Sequence, residues 1–248
     1  METDIEKALT QSGVPAAMEA AKDFLMKIAG PAAEEFGLLL RDKVWLWRFK
    51  NATSMLAKSQ RMLKEAGIEP SSVPLKTLVP LFEGASLEED DELATKWAAL
   101  LANAASPDCS LRIHPGFAQV LSQLSPTGAR FLDEVAKAQE SYLRESELPR
   151  SEERIWVAVT DLIRDYYGDR LEDFDVMAGN LQRLGLCEIA PPSFKEHTEK
   201  GESIYERDDH MEITRFGFRF VVACCFPATE PRLWRGEIFR LPGGEPEH

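Results

Sequence analysis

Apolar residues recur along much of the chain at three- and four-residue spacing, the period of a helix with one buried face. The longest such pattern follows Gly30. Leu39, Leu46, Phe49, Leu56 and Leu63 form one stripe, and Trp45, Met55 and Met62 widen it. Pro31 suits a first helical turn, Glu34 and Glu35 suit the positive helix end, and Gly67 suits a stop after Ala66. A single long amphipathic helix is predicted from Pro31 to Ala66, its Met and Trp stripe serving as core. The connector "EPSSVPLKTLVPLFEGAS" is punctuated by proline around a short helix from about Leu75 to Phe82. Ser86 with Glu89 three residues on has the form of a capping box. The helix it would open, "LEEDDELATKWAALLANAAS", packs Leu93, Trp97, Leu100 and Leu101. A further short helix is predicted in "HPGFAQVLSQLS", where His114 before Pro115 reads as a cap or turn residue.

The pattern changes near Ser125. Three helices are predicted at about 126–145, 151–167 and 172–184, the last stopped by Gly185. "LQRLGLCEIAPP" then passes into a strand, "SFKEHTEKGES" is a polar excursion, and "IYERDDHMEIT" is a return strand. "RFGFRFVVACC" closes the series as a helix. Three helices followed by a two-stranded hairpin is the winged-helix plan. The expected fold is therefore mainly α: a helical domain over 1–122, a winged-helix-like domain with a small β-hairpin wing over 123–226, and a C-terminal tail over 227–248.

Charge alters this picture more than composition does. The net charge is −13, which argues against a general nucleic-acid binder. Residues 1–84 are neutral, however, while 85–153 carry −7 and 154–248 carry −6. Between Arg41 and Lys64 seven bases face one acid, Asp42. Lys43, Lys50 and Lys64 share a heptad position beside Arg61, and these four are the candidate partner-binding residues. An anionic partner for them is nucleic acid, an acidic protein surface, or the Glu88–Glu92 run of a second copy; pairing with that run inside one molecule is an equal alternative. The N-terminus lacks the basic and apolar regions of a secretory signal. The longest apolar run, "FVVACCF", is too short to span a bilayer. A cytoplasmic protein without membrane insertion is expected. Cys109, Cys187, Cys224 and Cys225 show no CxxC or zinc spacing and read as free thiols.

No motif marks a catalytic centre. GxxxxGK[ST], GxSxG, HExxH and GxGxxG are all missing from the sequence. His114, His197, His210 and His248 are scattered, and Asp208, Asp209 and His210 read as a solvated hairpin edge. Asp161 and Asp165 share a helix face that a nuclease could use for magnesium, but interleaved Arg164 and Arg170 favour local ion pairs. No catalytic, cofactor or metal residue is assigned, and a non-enzymatic protein without cofactor is expected. The third helix of the second domain carries Glu172, Asp173 and Asp175 against Arg183, with Asn180 and Gln182 as the other candidate readers. Its wing, Ser193–Asp209, has three bases against six acids. Acids facing phosphate repel it, so this module reads as a protein-interaction or dimerisation element. A DNA-binding transcriptional regulator is the alternative.

Four blocks carry a resemblance: "GPAAEEFGLLLRDKVWLWRFKN", "AGI", "VPLKTLVPLFEGASLEEDDELATKWAALLANA" and "HPGFAQVLSQLSP". In this order, across Ile28 to Leu132, they resemble the Abi-alpha (abortive infection alpha) family of bacterial proteins. The resemblance implies a role in phage resistance by abortive infection, with an unidentified phage or host partner. It supplies no catalytic residue to carry over.

Overall fold

The stripe that predicts the long helix also sets which of its faces is covered. Helix α1 (Trp45–Glu65) buries Ala52, Met55, Leu56, Ser59 and Leu63, a three- and four-residue series. Gly67 has φ +69°. Gly67 N donates to Lys64 O at 3.2 Å and Ile68 N to Leu63 O at 2.9 Å, the paired bonds of a Schellman stop. The computed structural model describes residues 23–28, 45–107, 113–145, 155–191, 193–197, 202–206, 209–227, 232–234 and 237–239. The expected helix start at Pro31, Leu39, Lys43 and Cys109 lie outside the described residues, as do the side chains of Trp45, Leu46 and Phe49.

The protein is mainly helical, with a small three-stranded antiparallel sheet. It divides into two compact units: Met1–Pro126 with Val222–Arg232 and Phe239–His248, and Thr127–Val221 with Leu233–Ile238. In the first unit α1 packs on α2 (Leu75–Ser86) and α3 (Asp91–Ala105). The short α4 (Phe117–Leu121) completes the core against α2 and α3. Leu78, Leu81, Trp97, Leu100, Leu101 and Leu121 are fully buried there. Gly84 lets Trp97 approach α2: a Cβ at 84 would lie 2.2 Å from the indole. Ser59 Oγ lies 2.8 Å from Ala98 O and 2.9 Å from Met55 O, which satisfies a buried hydroxyl in the α1–α3 seam. His114 serves its turn, its Nδ1 accepting from Gly116 N at 3.1 Å.

One capping expectation is overturned. Ser86 does not open α3; it is the last residue of α2, and its Oγ lies 2.9 Å from Glu83 O. Asp90 is the N-cap, accepting from Glu92 N and Leu93 N. Its short carboxylate reaches the first turn directly, and the negative charge suits the helix N-terminus.

The first unit also takes in Val222–Arg232. Asn103, 1% exposed, donates from Nδ2 to Ala223 O at 2.9 Å and Cys225 O at 2.8 Å.

The second unit opens with the amphipathic α5 (Pro126–Glu145). Strand β1 (Val157–Ala158), α6 (Thr160–Tyr167), α7 (Leu171–Arg183) and β2 (Cys187–Ile189) follow. Then come β3 (Ser193–His197), β4 (Glu202–Glu206), β5 (His210–Ile213) and α8 (Arg215–Ala223). The sheet order is β1-β5-β2, antiparallel throughout. Phe131, Tyr167 and Phe174 form an edge-to-face cluster beneath α5, α6 and α7, with centroids 5.5–6.4 Å apart. Two buried side chains tie the sheet to its surroundings. Gln139 Oε1 accepts from Ile213 N at 2.9 Å, and Glu212 Oε1 from Ile155 N at 3.1 Å.

Two boundaries differ from expectation. The second helix begins at Thr160 and not 151, because Ile155, Val157 and Val159 alternate buried with more exposed neighbours, and Val157–Ala158 pair with β5. The polar excursion is itself a strand: β3 pairs with β4 from Ser193↔Glu206 to His197↔Glu202. The expected return strand is thus split into β4 and β5. The segment expected as a tail contains two paired strands, β6 (Arg232–Trp234) and β7 (Glu237–Phe239).

Candidate functional site

Helix α1 presents its bases on a narrow strip because most of its circumference is buried. Lys50, Arg61 and Lys64 fall within roughly a 60° arc of an ideal helix. Lys50 and Lys64 are exposed and Arg61 is half-buried. Lys43 lies outside the described residues. Lys58, which the heptad reading passed over, stands on the same side, eight residues after Lys50. Its Nζ is 3.4 Å from Thr95 Oγ1 and 4.0 Å from Asp91 Oδ1.

The acidic run is built into the same surface. Glu88 Oε1 accepts from Glu89 N and Asp90 N at 3.1 and 3.0 Å, and its Oε2 from Trp97 Nε1 at 3.2 Å. Asn51 of α1 donates to Ser86 O and Glu88 O at 3.3 and 2.8 Å. Arg48 Nε reaches Ser86 Oγ at 3.1 Å. These bonds hold the α2–α3 connector against α1. A recess of about 360 Å³ lies between Lys50, Asn51 and Ser54 on one side and Glu88, Glu89 and Asp91 on the other. At the other end of α1, Gln60 and Lys64 line a recess of about 540 Å³ with Asp23 and Lys27. Lys27 Nζ pairs with Glu69 Oε2 there at 2.9 Å. Basic and acidic side chains therefore alternate around α1 at short range, where solvent screens them least. Its field is local.

In the second unit α7 buries Phe174, Met177, Ala178 and Leu181. Its opposite face carries Glu172, Val176, Gly179 and Arg183. Val176 is 76% exposed. Arg183 Nη2 donates to Asn180 Oδ1 at 2.8 Å. The two other arginines here are paired to acids of their own turns: Arg164 to Asp161 at 2.6 Å and Arg170 to Asp173 at 3.4 Å. Asp161 and Asp165 are both exposed on α6. Among the described residues no group of three or more His, Cys, Asp or Glu could hold a metal ion.

Cys187, Cys224 and Cys225 are free thiols. Burial, and then the charge of Glu188, push the Cys187 thiol up to about 12, so it is protonated and unreactive near neutrality. Among the described residues no helix is long and apolar enough to cross a membrane.

A family model described as "Abortive infection alpha" matches residues 50–224. The match begins at Lys50, inside α1, and runs to Cys224, so it takes in Thr127–Val221 of the second unit, of which the resemblance over Ile28–Leu132 covers only the first residues. No curated protein and no solved structure matches the chain.

Proposed function

The chain belongs to the abortive infection alpha family, and on that premise we propose that it defends bacteria against phage by abortive infection, acting in the cytoplasm as a binding protein and not as an enzyme. The single observation that carries this reading is the family match over residues 50–224, which takes in the greater part of both compact units. The role in binding falls to surfaces where charge is concentrated on helix faces: Lys50, Arg61 and Lys64 on α1, with Lys43 ahead of them in the sequence, and the acidic start of α7.

The second unit we read as a winged helix. The sheet order β1-β5-β2, the α6–α7 pair and the β3–β4 hairpin support that reading. In it α7 takes the place of a DNA-reading helix. Its first turn offers Glu172 and Asp173, which repel phosphate, and its outward centre offers an apolar Val176. Recognition of protein follows better than recognition of duplex DNA.

The test is expression in a phage-sensitive bacterium with plaque and burst counts over a broad phage panel. Fewer plaques, and early death or arrest of infected cells, are expected. Charge reversal of Lys43, Lys50, Arg61 and Lys64 to Glu is expected to abolish protection in a chain that still folds. Equal plaquing with and without the protein across the panel would sink the defence reading. A large fall in melting temperature for the reversed chain would assign these bases to the fold.

A further inference from the structure

Helix α7 carries a stripe that is complementary to itself. Glu172, Val176, Gly179 and Arg183 stand at i, i+4, i+7 and i+11, within roughly a 60° arc opposite the buried face. Val176, near the middle of the stripe, is 76% exposed. Gly179 lies in the helix interior, where glycine is disfavoured, and a Cβ there would meet nothing within 4 Å in its own chain. The stripe thus has an acid at one end, a base at the other, and between them one protruding side chain and one bare stretch of backbone. Both pairs share one midpoint, between Met177 and Ala178.

We propose that two copies of the chain pair through α7, antiparallel, about a two-fold axis passing between Met177 and Ala178. Glu172 then faces the partner's Arg183, and Val176 sits over the partner's Gly179. The axis repeats both contacts, as an isologous interface requires. Arg183 Nη2 donates to Asn180 Oδ1 at 2.8 Å, a bond to the flank of the stripe that leaves further N–H groups to meet the partner's Glu172. Bare backbone at Gly179 permits the close approach that a side chain would prevent. A cationic partner protein satisfies the acids but leaves Arg183 facing another base. A second copy satisfies both ends.

This inference rests on reading the second unit as an interaction element. The experiment is sedimentation velocity on the full-length chain across a concentration series. Because one helix pair buries a small area, association in the micromolar range is expected. Val176→Asp and Gly179→Leu should each weaken it by at least about tenfold. Glu172→Arg and Arg183→Glu should each weaken it, and the double variant should restore it. Gly179→Leu should melt no lower than the parent when both are monomeric, since open space surrounds that position. A chain that stays monomeric throughout, or a dimer indifferent to Val176→Asp and Gly179→Leu, overturns the proposal. Plaque counts separate it from the functional reading: dimers without protection remove the defence role alone, and a protective monomer removes only the dimer.

Discussion

Replacing Gly84 with alanine sets two effects of known sign against each other. In an unobstructed helix interior the change would stabilise the protein by about 0.8–1 kcal/mol. Here the new Cβ would stand 2.2, 2.6 and 2.9 Å from three carbons of the Trp97 ring, all inside van der Waals contact. The indole has little room to yield: Trp97 is 1% exposed, and its Nε1 donates to Glu88 Oε2 at 3.2 Å. Overpacking of this kind costs about 1–3 kcal/mol or more, and losing the bond to Glu88 adds roughly 1 kcal/mol. The net expectation is a loss of about 1–3 kcal/mol, which lowers the melting temperature by very roughly 3–10 °C for a chain of this size. Tryptophan fluorescence during thermal and urea denaturation reads it. Trp97→Phe supplies the control, because it removes the crowding atoms. Gly84→Ala should cost clearly less in that background than in the parent, a coupling between neighbours of the kind double-mutant cycles detect. If Gly84→Ala melts at or above the parent, or costs the same in both backgrounds, the packing argument is wrong.

Two further outcomes follow from named contacts. Asp90→Ala removes the acceptor of the Glu92 and Leu93 amides and should cost about 1 kcal/mol, read as a shift in urea midpoint without a change in slope. Cys187 should resist iodoacetamide near pH 8 in the folded chain and react once it is unfolded, as mass spectrometry of labelled peptides will show. Its thiol titrates at about 12 when folded against 9.0 in the free group, so between those values the folded state holds the proton longer. Its contribution to stability is therefore full below pH 9 and lost as pH rises toward 12. That decline should be smaller in Cys187→Ala.

The elements most legible in the sequence are those whose period and stop signals agree. Met55, Leu56 and Leu63 predict the buried side of α1, and Gly67 predicts its end, because helical spacing and a left-handed glycine are local properties. Helix α7 is legible for the same reason, within one residue at each end. The capping of α3 is not. Ser86 and Glu89 match a capping box in isolation, but α2 extends through Ser86, and tertiary bonds from Asn51 and Arg48 fix the connector beyond it. Strand β1 is hidden because two residues are too few to show alternation, and its partner lies 52 residues further along, at His210–Met211. Spacing alone places Lys50, Arg61 and Lys64 on one side of a helix. The recess joining Lys50 to Glu88, Glu89 and Asp91 depends on how α1 and α3 pack, which no local pattern records.

The amide of Asn103 has a consequence in time. Its two acceptors, Ala223 O and Cys225 O, come 120 and 122 residues later in the chain. At about 5–20 residues per second of synthesis, the ribosome needs on the order of 6–24 s to deliver them. Over that interval the first unit holds a polar group in its interior whose permanent partners do not yet exist, and such a group is costly to bury unpaired. Thr127–Val221, the greater part of the second unit, emerges meanwhile as an insertion. The first helices made are thus among the last to be finished. A transcript or nascent chain cut short anywhere before residue 223 yields an incomplete first unit, and not a shorter version of the same protein.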